Sequence, residues 1–254
     1  MPPATNATGT LTRTHRAVLL ASSLAVTLAG WVWLTRGSAH HLHSALLLPH
    51  GNGHPGIWPF ISAVVMWQAM SVAMMTPTTL NWLFAFAALA GRSEPRRTFR
   101  AVGAFAAGYF FVWLGYSIAG AVLQIAFQRS AFLDHSGKLP SSAAGVVLIG
   151  AGVVHFTPLS RACLRHCRNP LTYFLTHWDN GPHGGFRFGV AHGAYCVGCC
   201  WALMFTGFAM GVMNIVWMGF LTILICVEKL APRGDRIAGV VAAALIVWGA
   251  ALLF

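Results

Sequence analysis

The residues best suited to chemistry lie within one short segment, His192, Cys196, Cys199 and Cys200. On a helix turning 100° per residue, the three cysteines fall at about 40°, −20° and 80° from His192. All four side chains therefore share one face. Thiolates and imidazole converging on a face supply most of a soft metal's coordination shell, or a redox pair. Core packing competes with that reading, since a buried cysteine is also a small apolar filler. Three cysteines and a histidine on a single stripe weigh toward the metal.

Other segments add candidate ligands. Met66, Met70 and Met74 recur every fourth residue just before Pro77. Thioether beside thiolate suits Cu(I), and Met70 and Met74 are expected to complete the site, with Met75 on another face. His155 sits in an apolar block, where an ionisable group needs a partner. Cys163 and Cys167, at i and i+4, point the same way on a short helix, among Arg161, Arg165 and Arg168. That helix also reads as an amphipathic segment whose arginines face lipid headgroups. Asn214 and Glu228 lie on a further stripe. Glu228 pairs with Lys229 or a nearby arginine, or supports a ligand histidine from the second shell. His40, His41, His43, His50 and His54 crowd a Gly/Pro-flanked segment without thiols, suited to Cu(II), Zn(II) or Ni(II). Cys226 stands alone and reads as packing.

These residues must be positioned by membrane helices. Of the 254 residues, 57% are hydrophobic and 8% charged, where a soluble domain carries about 25% charged residues. The apolar residues run in seven blocks, near 17–34, 57–90, 102–127, 141–159, 188–210, 212–230 and 237–254. The second is long for one span and is expected to kink at Pro77. The first follows a polar leader, residues 1–16, and is expected to be retained rather than cleaved. Residues 17–254 then form a single helix-bundle domain with a His-rich outer loop at 36–57.

Charge fixes the expected orientation. With a cytoplasmic N-terminus, thirteen lysines and arginines lie inside and three (Arg36, Arg129 and Lys138) lie outside. The C-terminus is then outside, and the cysteine stripe lies in the cytoplasmic half. The net charge of +11 follows membrane topology; no basic run interleaves with aromatics, so nucleic acid is not expected as a partner.

Several motifs resemble a bacterial family. Met66-Trp67, Met70 and Met74-Met75-x-Pro77 resemble its M-W-x-x-M…A-M-M-x-P segment. Pro158-Leu159, Cys163-Leu164, Cys167-Arg168 and Pro170 resemble P-L-K-x-x-C-L-x-x-C-R-x-P. His192-Gly193, Tyr195-Cys196, Gly198-Cys199-Cys200-Trp201 and Leu203-Met204 resemble H-G-x-Y-C-x-G-C-C-W-x-L-M. Gly108-Tyr109, Trp113, Gly211 to Asn214, Trp217-Met218 and Glu228-Lys229 extend the match over roughly 58–231. The family is a bacterial domain of unknown function described as a predicted metal-binding integral membrane protein. Ser160 departs from its lysine, and His155 replaces a glutamine.

The resemblance implies a multi-pass protein of the bacterial cytoplasmic membrane that binds metal. From the ligand set the metal is expected to be copper, with zinc or iron as alternatives and haem disfavoured. Metal transport or cofactor delivery to or from a partner protein is the leading expectation. A membrane metallo-oxidase or oxygenase, and a thiol–disulfide oxidoreductase, are the alternatives.

Overall fold

A computed structural model describes residues 13–39, 57–90, 95–134, 137–178 and 183–254. The described residues are helical, with no strand. In chain order the helices are α1 (Arg13–Ala39), α2 (Trp58–Met75), α3 (Leu80–Ala90), α4 (Pro95–Arg129) and α5 (Ser141–Phe156). They continue as α6 (Pro158–Arg168), α7 (Pro170–His177), α8 (Gly184–Phe205), the single turn α9 (Gly207–Met210), α10 (Ile215–Leu230) and α11 (Gly234–Ala251). The His-rich loop, with His40, His41, His43, His50 and His54, lies outside the described residues.

Among the described residues, five helices are long and apolar enough to cross a membrane, and six segments are if the bent pair α5–α6 forms one span. That pair turns through 64° at Thr157, where Pro158 cannot continue the ladder. Among the described residues, length and apolarity alone do not fix the expected count of about seven. The sixth expected span, α10, has 16 residues. It is therefore about 24 Å long, against a hydrocarbon core of roughly 30 Å. Its surface is apolar nonetheless, with Val216, Phe220, Ile223 and Val227 exposed along one side.

The expected kink at Pro77 is a full break. α2 ends at Met75, Pro77–Thr79 form a 3-10 turn, and α3 starts afresh. Three threonine hydroxyls recapture carbonyls there: Thr76 Oγ1 donates to Val72 O (2.6 Å), Thr78 Oγ1 to Met75 O (2.9 Å) and Thr79 Oγ1 to Thr76 O (2.8 Å). Hydroxyl donors of this kind let a broken helix persist where no water satisfies the backbone.

Glycine sets the closest helix approach. Gly185, Gly189 and Gly193 recur every fourth residue on α8 and face α4. A Cβ at Gly189 would stand 2.0 Å from Phe105 O, and one at Gly108 would stand 2.2 Å from Phe186 O. Small residues on both faces let the two backbones touch, as membrane helices commonly do. The same contact fixes the cysteines of α8 against α4, α2 and α6, inside one core with Met70, Met74, Met75 and Tyr109.

Candidate metal centre

Cys196, Cys199 and Cys200 are all buried on α8, and each turns toward a different neighbour. Cys199 Sγ meets Cys167 Sγ of α6 at 3.9 Å. Cys200 Sγ meets Met75 Sδ of α2 at 4.0 Å. Cys196 Sγ lies 3.0 Å from the Tyr109 hydroxyl of α4 and 2.9 Å from Lys229 Nζ of α10. The stripe is thus the hub of a fan of sulfur contacts. Among the described residues, no three His, Cys, Asp or Glu side chains converge on a single metal position.

The fan follows from the geometry of the helix. The thiols of Cys199 and Cys200 both reach back to Cys196 O, at 3.1 and 2.9 Å. Their side chains thus lie down along α8, one toward α6 and one toward α2. α6 lies beside α8, its Ser160 hydroxyl 3.4 Å from Cys199 O. Cys163 lies on the same side as Cys167, since a Cβ at Gly198 would stand 2.8 Å from its sulfur. The shared direction expected for this pair is therefore observed.

His192 sits in an aromatic box that shares Tyr109 with the Cys196 thiol. Its ring stacks on Trp82 (4.3 Å between centroids) and Tyr109 (5.1 Å), with Phe105 at 6.0 Å. It is fully buried, and neither ring nitrogen has a hydrogen-bond partner. Trp82 is itself held by donation of its indole N–H to Cys167 O at 2.8 Å. Box and dithiol are therefore mechanically joined.

His155, on the last turn of α5, places Nε2 3.2 Å from Glu228 Oε1 of α10, while Nδ1 has no partner. Of the partners expected for Glu228, the histidine is the one it meets. Asn214 has a different role from the one expected. It is exposed, accepts a hydrogen bond from Trp217 N–H at 3.0 Å and donates to Met210 O at 3.2 Å, capping α10 at the end opposite Glu228. Met70 and Met74 are buried in the shared core, but the thioether that reaches a stripe thiol is that of Met75.

Sequence reasoning missed four participants: Met75, Tyr109, Thr78 and the inward course of Lys229. The signal for Lys229 was its position near the end of an apolar helix beside a second charge. Arg168 closes the cluster's edge by donating to Ala231 O and Pro232 O and lying 3.4 Å from Asp235.

The donor chemistry is of the kind that suits copper. It offers buried thiols, one thioether and two imidazoles with unpartnered nitrogens, which is soft and borderline chemistry without a free carboxylate. An all-helical bundle with five span-length apolar helices among its described residues is consistent with a multi-pass membrane protein, and its interior gathers sulfur side chains. The PpoB2 family model, described as copper chaperone, matches residues 64–252, and the chain belongs to that family. Neither a curated protein nor a solved structure matches the chain significantly. Its function is copper-related.

Proposed function

We propose that this protein is a membrane copper carrier that holds Cu(I) on sulfur between α6, α8 and α2 and hands it to a partner. The observation that carries this reading is the dithiol of Cys167 and Cys199, 3.9 Å apart and supplied by separate helices. With metal–thiolate bonds of about 2.3 Å, two sulfurs on a three-coordinate ion stand roughly 4.0 Å apart. The pair is therefore spaced for one ion with a third donor still to close on it. Cys196, Cys200 and Met75 are the sulfurs next along the stripe, and His192 and His155 offer free nitrogens.

Two-helix coordination suits a carrier. An ion shared by α6 and α8 is released when either helix shifts, whereas a cage on one rigid element would retain it. In the orientation expected from the charges, the site faces the cytoplasmic half and the histidine segment at 40–54 gathers borderline ions outside. Zinc accepts the same thiolate and imidazole donors, so copper is favoured over zinc and iron by the copper chaperone family rather than by the donors alone.

Anaerobic Cu(I) titration of the purified full chain against a chromogenic chelator tests the proposal. Wild type binds Cu(I) in competition with the chelator, and Cys167→Ser/Cys199→Ser loses that binding while remaining folded. Absence of Cu(I) binding in wild type, or unchanged binding in the double variant, overturns it.

A further inference from the structure

A cleft of about 780 Å³ opens where the start of α1, α3 and the α6–α7 junction meet, and no cysteine or methionine lines it. A space of this size is enough for a small organic ligand. Arg16, Asn81 and Asn169 bring a guanidinium and two amides to its walls, and Leu20, Phe84 and Leu171 make the walls apolar elsewhere. Arg16 opens the candidate span Arg16–Arg36, so in a bilayer the cleft lies where headgroups meet hydrocarbon. Asn81 is exposed and is the one amide, hydroxyl or charged side chain on α3. An amide facing hydrocarbon is costly unless a partner bonds it.

The protein has little to offer these donors. It carries 16 Lys and Arg against 5 Asp and Glu. Among the described carboxylates, Glu228 meets His155, Asp235 lies beside Arg168, and Asp134 accepts from the Lys138 backbone N–H. None of them lines the cleft. Arg168 does line it, but its guanidinium is committed to Ala231 O, Pro232 O and Asp235. Arg16 is left as the cleft's unmatched cation among the described residues.

We propose that this cleft binds one anionic phospholipid, its phosphate on Arg16, Asn81 and Asn169 and its acyl chains along Leu20, Phe84 and Leu171. A phospholipid supplies both halves of what the walls present, an anion for the donors and hydrocarbon for the apolar side chains. A free phosphate matches the first half alone, and an acidic peptide brings little hydrocarbon. Asn81 precedes Trp82 and Asn169 follows Cys167 by two residues, so the headgroup bridges α3 to the α6–α7 junction beside the Trp82 N–H bond to Cys167 O. The lipid thus braces the mounting of α6 without touching a sulfur, and its binding does not depend on copper.

The test titrates the metal-free full chain in detergent with phosphatidylglycerol, phosphatidylcholine, inorganic phosphate and a hexaglutamate peptide, read by native mass spectrometry and thermal melting. One phosphatidylglycerol is expected to stay bound and to raise the melting temperature. Phosphatidylcholine is expected to bind about fivefold more weakly or worse, and phosphate and peptide to do neither. Arg16→Gln and Asn81→Leu are each expected to weaken phosphatidylglycerol about fivefold or more, the worth of one charge at the membrane surface. Arg36→Gln, at the opposite end of α1, is expected to leave it unchanged. Two variants on separate helices guard against one disturbing the fold. Equal binding of the two lipids, unchanged binding in either cleft variant, or an equal loss in Arg36→Gln overturns the proposal. Stabilisation by phosphate or peptide as strong as by phosphatidylglycerol assigns the cleft to that ligand and overturns the lipid.

Discussion

His155 and Glu228 are buried on facing helices, and each is the other's hydrogen-bond partner at 3.2 Å. Removing one side of a buried polar pair leaves the other desolvated without compensation, at a cost of about 3–5 kcal/mol. His155→Leu is therefore expected to lower thermal stability strongly. His155→Leu/Glu228→Gln should recover much of the loss, because a neutral amide costs less to bury than a carboxylate. Melting of the two proteins in detergent checks this, and equal destabilisation would contradict it. At this scale the sequence was informative wherever the argument stayed on one helix. The α8 stripe followed from 100° per residue, as did the shared direction of Cys163 and Cys167. Which neighbour each thiol meets was not legible, because it depends on how α8 packs against α4, α2 and α6. Met75 was assigned to another face for that reason. The spacing that linked Met66, Met70 and Met74 is local, while the contact with Cys200 crosses 125 residues.

Among the elements, α8 carries the most. Its Gly185, Gly189 and Gly193 row sits on α4, and its thiols face the interior beside that row. A Cβ at Gly189 has no room, since Phe105 O would lie 2.0 Å away and is backbone. Gly189→Ala must push α8 from α4. It is expected to cost about 1–3 kcal/mol through overpacking and to weaken Cu(I) binding by moving all three thiols together. A control at Gly103, where an added Cβ meets nothing within 4 Å, should do neither. Thermal melts and Cu(I) titrations of both variants check the pair, and loss of binding in Gly103→Ala would contradict it. The element pattern was largely readable from apolar block and proline. Pro77 marked the interruption of the second block, and Pro158 accompanied the bend after α5. The 3-10 turn and its three threonine bonds were not readable, because they arise from local satisfaction of carbonyls that any of several turn geometries would provide.

Among the described residues, large apolar side chains face outward on several helices, including Leu24 on α1, Phe111 on α4, Ile223 on α10 and Val240 on α11. Polar and ionisable groups collect in the interior instead: His155, His192, Glu228 and Lys229 are all buried. That inversion is what a bilayer solvent permits. Composition revealed it at once, since so low a charged fraction leaves no polar shell for a water-soluble bundle. Helix count was harder to read, because apolar length alone does not distinguish a straight span from the bent α5–α6 pair or from the short α10. The same interior concentration joins fold to function: the bundle excludes water from a cluster of sulfurs and leaves two imidazoles with free nitrogens. The most direct measurement of that claim is X-ray absorption of the anaerobically Cu(I)-loaded protein. Wild type is predicted to show a coordination shell dominated by sulfur at about 2.3 Å, and Cys167→Ser/Cys199→Ser to retain no copper. A shell of nitrogen and oxygen donors, unchanged by that double substitution, would contradict it.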